Sequence, residues 1–189
     1  MKVLAISGSL REEAFSTRLV NAATDLAPEG VEISRLEGLE EIPGFNQDRE
    51  SEVPEIVEDL RRQIEAADAL LIITPEYNAS MPGQLKNAID WASRPHGESA
   101  LAGKPAAVLS SSPMPFGAIW ANQQVRKAFT ITGTPTVERE LAIGKVDEKI
   151  DGSDRLTDDA AREELSALLA ELNELVAVIA DQSDEAVAA

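Results

Sequence analysis

The chain has no cysteine. Disulfides, thiolate nucleophiles, zinc ribbons and cysteine-held iron–sulfur clusters are therefore excluded together. One histidine, His96, leaves no multi-histidine metal site and no histidine relay, so no metal is expected. Aromatic residues are scarce, at 4% of the chain. No run approaches the roughly 18 apolar residues of a membrane-spanning helix, so no membrane partner is expected. Basic residues are half as numerous as acidic ones, 17 against 34, for a net charge of −17. Such a surface repels a phosphate backbone and argues against nucleic-acid partners. Residues 1–7 lack the apolar region and cleavage site of a secretory leader, so a cytoplasmic location is expected. Redox chemistry in this chain would have to be carried by a bound organic cofactor.

What is present is the material of one soluble domain: 189 residues, 43% apolar and 27% charged. A single domain is expected over residues 1–180, with a disordered acidic tail at 181–189. The acidity fits a halophilic protein, because concentrated salt screens the self-repulsion while net charge preserves solubility. An ordinary acidic protein is the plainer reading. Either way the charge speaks to solvent more than to chemistry.

Apolar runs alternate with helical periodicity along the whole chain. Residues 2–7, 31–36, 69–74, 105–111 and 135–141 read as strands, and ALLIIT at 69–74 is apolar nearly throughout, as a central parallel strand should be. Helical spacing occupies 16–26, a stretch following Pro54, 83–92, 117–131 and 157–180. Strand–helix alternation with five strands predicts an α/β fold, a doubly wound parallel sheet with helices on both faces. Ligands of such sheets sit beyond the carboxyl ends of the strands. The loops near 8–16, 75–82 and 111–117 are thus expected to line one pocket.

The first of these loops runs Gly8-Ser9-Leu10-Arg11-Glu12-Glu13-Ala14-Phe15-Ser16-Thr17. It supplies backbone N–H groups at a helix start, several hydroxyls and one arginine, which is the inventory for gripping a phosphate. It is neither the G-x-G-x-x-G of a dinucleotide site nor a G-x-x-x-x-G-K-[ST] nucleotide loop. The second stretch reads P-E-Y-N-x-S-x-P-G-x-L-K-N-A-I-D-W from Pro75 to Trp91. Its two prolines stiffen a loop that could hold a flat ligand, and Tyr77, the chain's only tyrosine, offers an aromatic wall. Trp91 reads as core.

That second stretch resembles the signature of the NADPH-dependent FMN reductase family, a flavodoxin-like group that includes quinone, chromate and azo-dye reductases. G-S-L-R after the first strand, L-A-G-K-P before the fourth and the serines at 110–112 fit the same family in order and spacing. The resemblance implies a flavodoxin-like fold and an enzyme that passes hydride from NADPH (or NADH) to FMN. Two electrons then go to a small-molecule acceptor, whether quinone, azo compound, flavin or metal oxyanion. It places the FMN phosphate on Ser9, Leu10, Arg11, Phe15, Ser16 and Thr17. The ring falls on Pro75, Glu76, Tyr77 and Asn78, with Ser111 contributing from the third loop. The flavin carries the chemistry, so no catalytic side chain is assigned. Relatives of this kind imply a homodimer or homotetramer. Ala14 departs from the family pattern, as do Ala118 and Trp120, which stand where a glycine and an arginine are common. Phe116 and Trp120 are candidates for a substrate pocket, although Trp120 could equally be packing. The alternative is a flavodoxin-like electron carrier with no NAD(P)H reaction of its own.

Overall fold

The computed structural model describes residues 1–188, with side chains described through residue 182. Five strands, β1 (Lys2–Ser7), β2 (Glu32–Arg35), β3 (Ala69–Thr74), β4 (Ala106–Ser112) and β5 (Leu141–Gly144), form one sheet in the order β2-β1-β3-β4-β5. Every pairing is parallel. Helices α1 (Phe15–Asp25), α2 (Glu55–Ala66), α3 (Gly83–Ala92), α4 (Ile119–Thr132) and α5 (Asp159–Ala188) connect the strands or close the chain. This is the doubly wound parallel sheet that the alternation predicts, in the flavodoxin-like strand order that the resemblance implies.

The sheet is buried on both faces because its strand residues are divided with period two. Leu4, Ile6, Leu70, Ile72 and Val108 join α2, α3 and α4 in one core, with Leu60, Leu85, Trp91 and Phe129. Val3, Ala5, Leu71, Ile73 and Leu109 face the other way, onto Leu19 of α1 and Leu165, Leu168 and Leu172 of α5. The leucine stripe at the end of the chain therefore packs on the chain's own sheet.

Most helix and strand limits differ from the sequence reading by a residue or two, the normal scatter of element ends, but α5 runs on to Ala188, past the expected end at 180. The fifth strand differs by more. It was expected at 135–141 and lies at Leu141–Gly144, paired with Leu109–Ser112. The expected segment makes only a single bridge, Thr136 to Ala106. Its next carbonyls are taken by a helix side chain: Arg126 donates to Glu138 O at 3.1 Å and to Arg139 O at 3.3 Å. The Arg139 side chain in turn reaches Glu164 and Glu171 of α5. The polar run 138–140 thus serves helices on both faces, and only the apolar Leu141-Ala142-Ile143 enters the sheet. The acidic tail expected at 181–189 falls largely outside the residues described in full.

Candidate functional site

With β1 at the point where strand order reverses, the loops leaving β1, β3 and β4 converge at the carboxyl end of the sheet. The first loop is anchored by Gly8 N–H, which donates to Ile73 O at 2.8 Å. Ser7, the last residue of β1, ties the loop to the helix that follows it. Its Oγ lies 2.9 Å from Ser16 Oγ and 3.0 Å from Thr17 Oγ1. Those two hydroxyls are turned inward, so the start of α1 offers the cleft backbone N–H groups. Helix α1 begins after Ala14, which has no side chain to cap it. Its first-turn donors are therefore left for a ligand or solvent. Arg11 stands beside them, and its guanidinium has no hydrogen-bond or ion-pair partner among the described residues.

The second loop turns back on itself. Tyr77 N–H donates to Ser80 O at 3.0 Å and Ser80 N–H to Tyr77 O at 3.2 Å. The two residues between them, Asn78 and Ala79, have φ of 53° and 61°. Asparagine adopts this left-handed conformation readily, whereas alanine does so at a cost of about 1–2 kcal/mol. Strain of that size at a cleft edge marks a loop whose shape is specified. The Tyr77 hydroxyl lies 3.4 Å from Ser9 Oγ and links this loop to the first.

The third loop is pinned to the end of β5. Met114 O accepts from both Gly117 N–H and Lys145 N–H at 3.3 Å, and Ser112 Oγ accepts from Met114 N–H at 3.1 Å. Two glycines permit the close approach. A Cβ on Gly144 would lie 2.1 Å from Pro115 O, and one on Gly117, whose φ is +61°, would lie 2.6 Å from the Ala142 carbonyl carbon. Just before this loop, Ser111 is only 3% exposed, and its Oγ has no hydrogen-bond partner among the described residues. A buried hydroxyl in that state costs about 1–3 kcal/mol unless a ligand or water completes it.

These loops enclose a cleft of about 310 Å³ lined by Ser9, Arg11, Phe15, Ser16, Pro75, Glu76, Tyr77 and Ser111, with Ala14, Ser112 and Pro113. Among the described residues, Arg11 and Glu76 are the only charged ones in its wall. Leu10 and Thr17 line an adjoining hollow of about 170 Å³ instead, together with Arg35 and Ser7. Asn78 is exposed at its turn. Phe116 and Trp120 are 77% and 57% exposed and stand outside the cleft wall. Trp120 borders a separate surface hollow with Ala79, Gln123, Gln124 and Lys127.

Residues 1–148 match the model of the family described as NADPH-dependent FMN reductase. The chain belongs to that family. An NAD(P)H-dependent FMN reductase of Pseudomonas aeruginosa is 44% identical over 165 residues, covering 86% of this chain and 88% of that protein. A quinone reductase of Pseudomonas putida is 40% identical over 158 residues, covering 82% and 84%. Among solved structures, a flavoenzyme NAD(P)H:(acceptor) oxidoreductase from Paracoccus denitrificans superposes with a TM-score of 0.84. It shares 34% identity, covering 95% of this chain and 97% of that one. The protein is thus an oxidoreductase of the FMN reductase family, with FMN as cofactor and NAD(P)H as co-substrate.

Much of the long FMN reductase signature proves to serve packing around the cleft. Gln84 Nε2 donates to Leu39 O and Ile42 O at 2.7 and 2.8 Å. Asn87 Oδ1 accepts from Phe45 N–H at 2.7 Å, and Trp91 Nε1 donates to Pro43 O at 2.8 Å. Three residues of α3 thus hold the 37–46 loop in place. Sequence reasoning missed Ser7 as the hub of the first loop. Its one signal was a hydroxyl closing an apolar strand immediately before a glycine.

Proposed function

We propose that the 310 Å³ cleft is the FMN site and that the bound cofactor serves NAD(P)H-driven reduction of quinone-type acceptors. One observation carries this reading. A single cleft has, among the described residues, a partnerless guanidinium and an uncapped helix start on its first loop, and a buried, partnerless hydroxyl by its third. The first loop suits a phosphate dianion, and the hydroxyl suits the polar edge of a flat ring. Ser9, Arg11 and the first-turn N–H groups of Phe15, Ser16 and Thr17 would hold the phosphate. Leu10 backs this loop from the adjoining hollow. Pro75, Glu76 and Tyr77 would border the ring, with Ser111 Oγ completing its hydrogen bonding. Asn78 contributes by fixing the turn. Bound FMN supplies the two-electron chemistry that a chain without cysteine cannot. The residues around it fix its position and keep one face open to a planar partner.

Quinone is favoured among acceptors because relatives include quinone reductases and a 2-hydroxy-1,4-benzoquinone reductase of Burkholderia. Exposed Leu10, Tyr77, Met114, Phe116 and Trp120 give an apolar surround suited to an aromatic acceptor or to a second copy of the chain. We accordingly read the working form as a cytoplasmic homodimer or homotetramer. Arg11→Ala tests the site. Losing a charge-assisted contact worth about 1.5–3 kcal/mol should weaken FMN binding roughly 10- to 150-fold. Because Arg11 is exposed and unpaired, stability of the apoprotein should change by no more than about 0.5 kcal/mol. FMN affinity within about twofold of wild type removes Arg11 from the phosphate site.

A further inference from the structure

Two of the helices that start at the carboxyl end of the sheet, α1 and α4, are each preceded by an alanine and have no side-chain cap of their own. They are treated differently. The start of α1 opens into the cleft beside a free arginine. The start of α4 is met by a carboxylate from another loop: Glu76 Oε2 accepts from Ala121 N–H at 3.3 Å. Ala118 precedes this helix with φ of 63° and cannot cap it. Glu76 is also part of the cleft wall, between Pro75 and Tyr77, so its carboxylate ties that wall to the positive end of α4.

We infer that Glu76 is an electrostatic positioning residue: by capping α4 from the cleft wall it offsets that helix's positive end near the ring and lowers the site's relative affinity for reduced FMN. The inference rests on the cleft being the FMN site. Charge near the polar edge of a flavin tunes its electronics, and reduced FMN is the more electron-rich ligand. A positive helix end facing the ring would favour it, and a carboxylate in that place disfavours it. The arrangement also gives the cleft a polarity. An arginine and an open helix start stand where the phosphate would sit, and a carboxylate belongs to the wall that would border the ring. A donor of electrons to quinones gains from a weakly held reduced form.

Two variants separate charge from mere capping. Glu76→Gln keeps an oxygen that can accept from Ala121 N–H and removes the charge, whereas Glu76→Ala removes both. The probes are oxidised FMN, titrated by fluorescence, and reduced FMN, titrated anaerobically, each against the full chain. Glu76→Gln should shift the reduced-to-oxidised affinity ratio at least tenfold towards reduced FMN, whatever its effect on the oxidised form alone. That ratio corresponds to a potential about 30 mV higher for the two-electron couple. Glu76→Ala should show the same shift together with faster amide exchange in the first turn of α4. An unchanged ratio in Glu76→Gln overturns the inference and leaves Glu76 a structural cap. Wild type that binds neither form of FMN overturns both this inference and the cofactor site beneath it. The wild-type titration alone shows which of the two has failed.

Discussion

Replacing Ser111 with alanine should push the apoprotein and the FMN complex in opposite directions. In the structure the Ser111 hydroxyl is buried, 3% exposed, with no partner among the described residues. Leaving a polar group in that state costs about 1–3 kcal/mol. Alanine removes the group at the price of a void one oxygen wide, so the lower end of the range applies. A gain of about 1 kcal/mol raises Tm by roughly 2–4 °C in a domain of this size. The same change removes one hydrogen bond from the complex, worth about 0.5–1.5 kcal/mol, so FMN should bind roughly two- to thirteenfold more weakly. The assay is thermal unfolding of Ser111→Ala and wild type, each without FMN and at several FMN concentrations, since ligand stabilisation grows with [L]/Kd. The two melting curves should cross: the variant is more stable when empty and less stable when saturated. An apo Tm unchanged within a degree means that solvent already satisfies Ser111. An apo Tm that falls means that the hydroxyl has a partner inside the fold. Either result refutes the argument.

Gly144→Ala should dislodge the third loop, because its Cβ would lie 2.1 Å from Pro115 O, a backbone atom that cannot rotate away. Overpacking of this kind costs about 1–3 kcal/mol, so Tm should drop by roughly 2–12 °C and FMN affinity should fall with it as Ser112 and Pro113 shift; a variant with wild-type Tm and affinity contradicts the pinned-loop description. Thermal stability should rise between about 0.1 M and about 1 M potassium chloride, over which the Debye length contracts from roughly 10 to 3 Å and relieves the repulsion of a chain at −17. A Tm independent of salt removes the high-salt reading of the composition.

The strands and the pocket end of the sheet were legible in the sequence because both follow from apolar periodicity and from connection rules. ALLIIT could only be a buried strand, and parallel crossovers bring the loops after β1, β3 and β4 together. What could not be read is a set of side-chain bonds to distant backbone, which leave no period in the sequence. The displacement of β5 depends on Arg126 reaching carbonyls twelve and thirteen residues away. The cap from Glu76 to Ala121 spans 45 residues. Gln84 and Asn87 lie within a stretch that resembles a ligand-binding signature, yet their hydrogen bonds hold the 37–46 loop. Trp120 could cover a pocket or simply pack from its sequence position, and the structure leaves it 57% exposed at the border of a surface hollow. Residue types marked the chemistry of the site, and tertiary hydrogen bonding decided which of them face it.

The central claim is that this cleft holds FMN in a form that NADPH can reduce. Its most direct test is a visible absorption spectrum of the full chain with FMN, in molar salt and under anaerobic conditions, taken after a sizing column and again on adding NADPH. The account predicts flavin that travels with the protein and bleaches rapidly with NADPH, then recovers its colour when a benzoquinone is added. Flavin that stays bound but bleaches only with dithionite would contradict the reductase reading and favour an electron carrier. Flavin lost on the column would contradict the cofactor site itself.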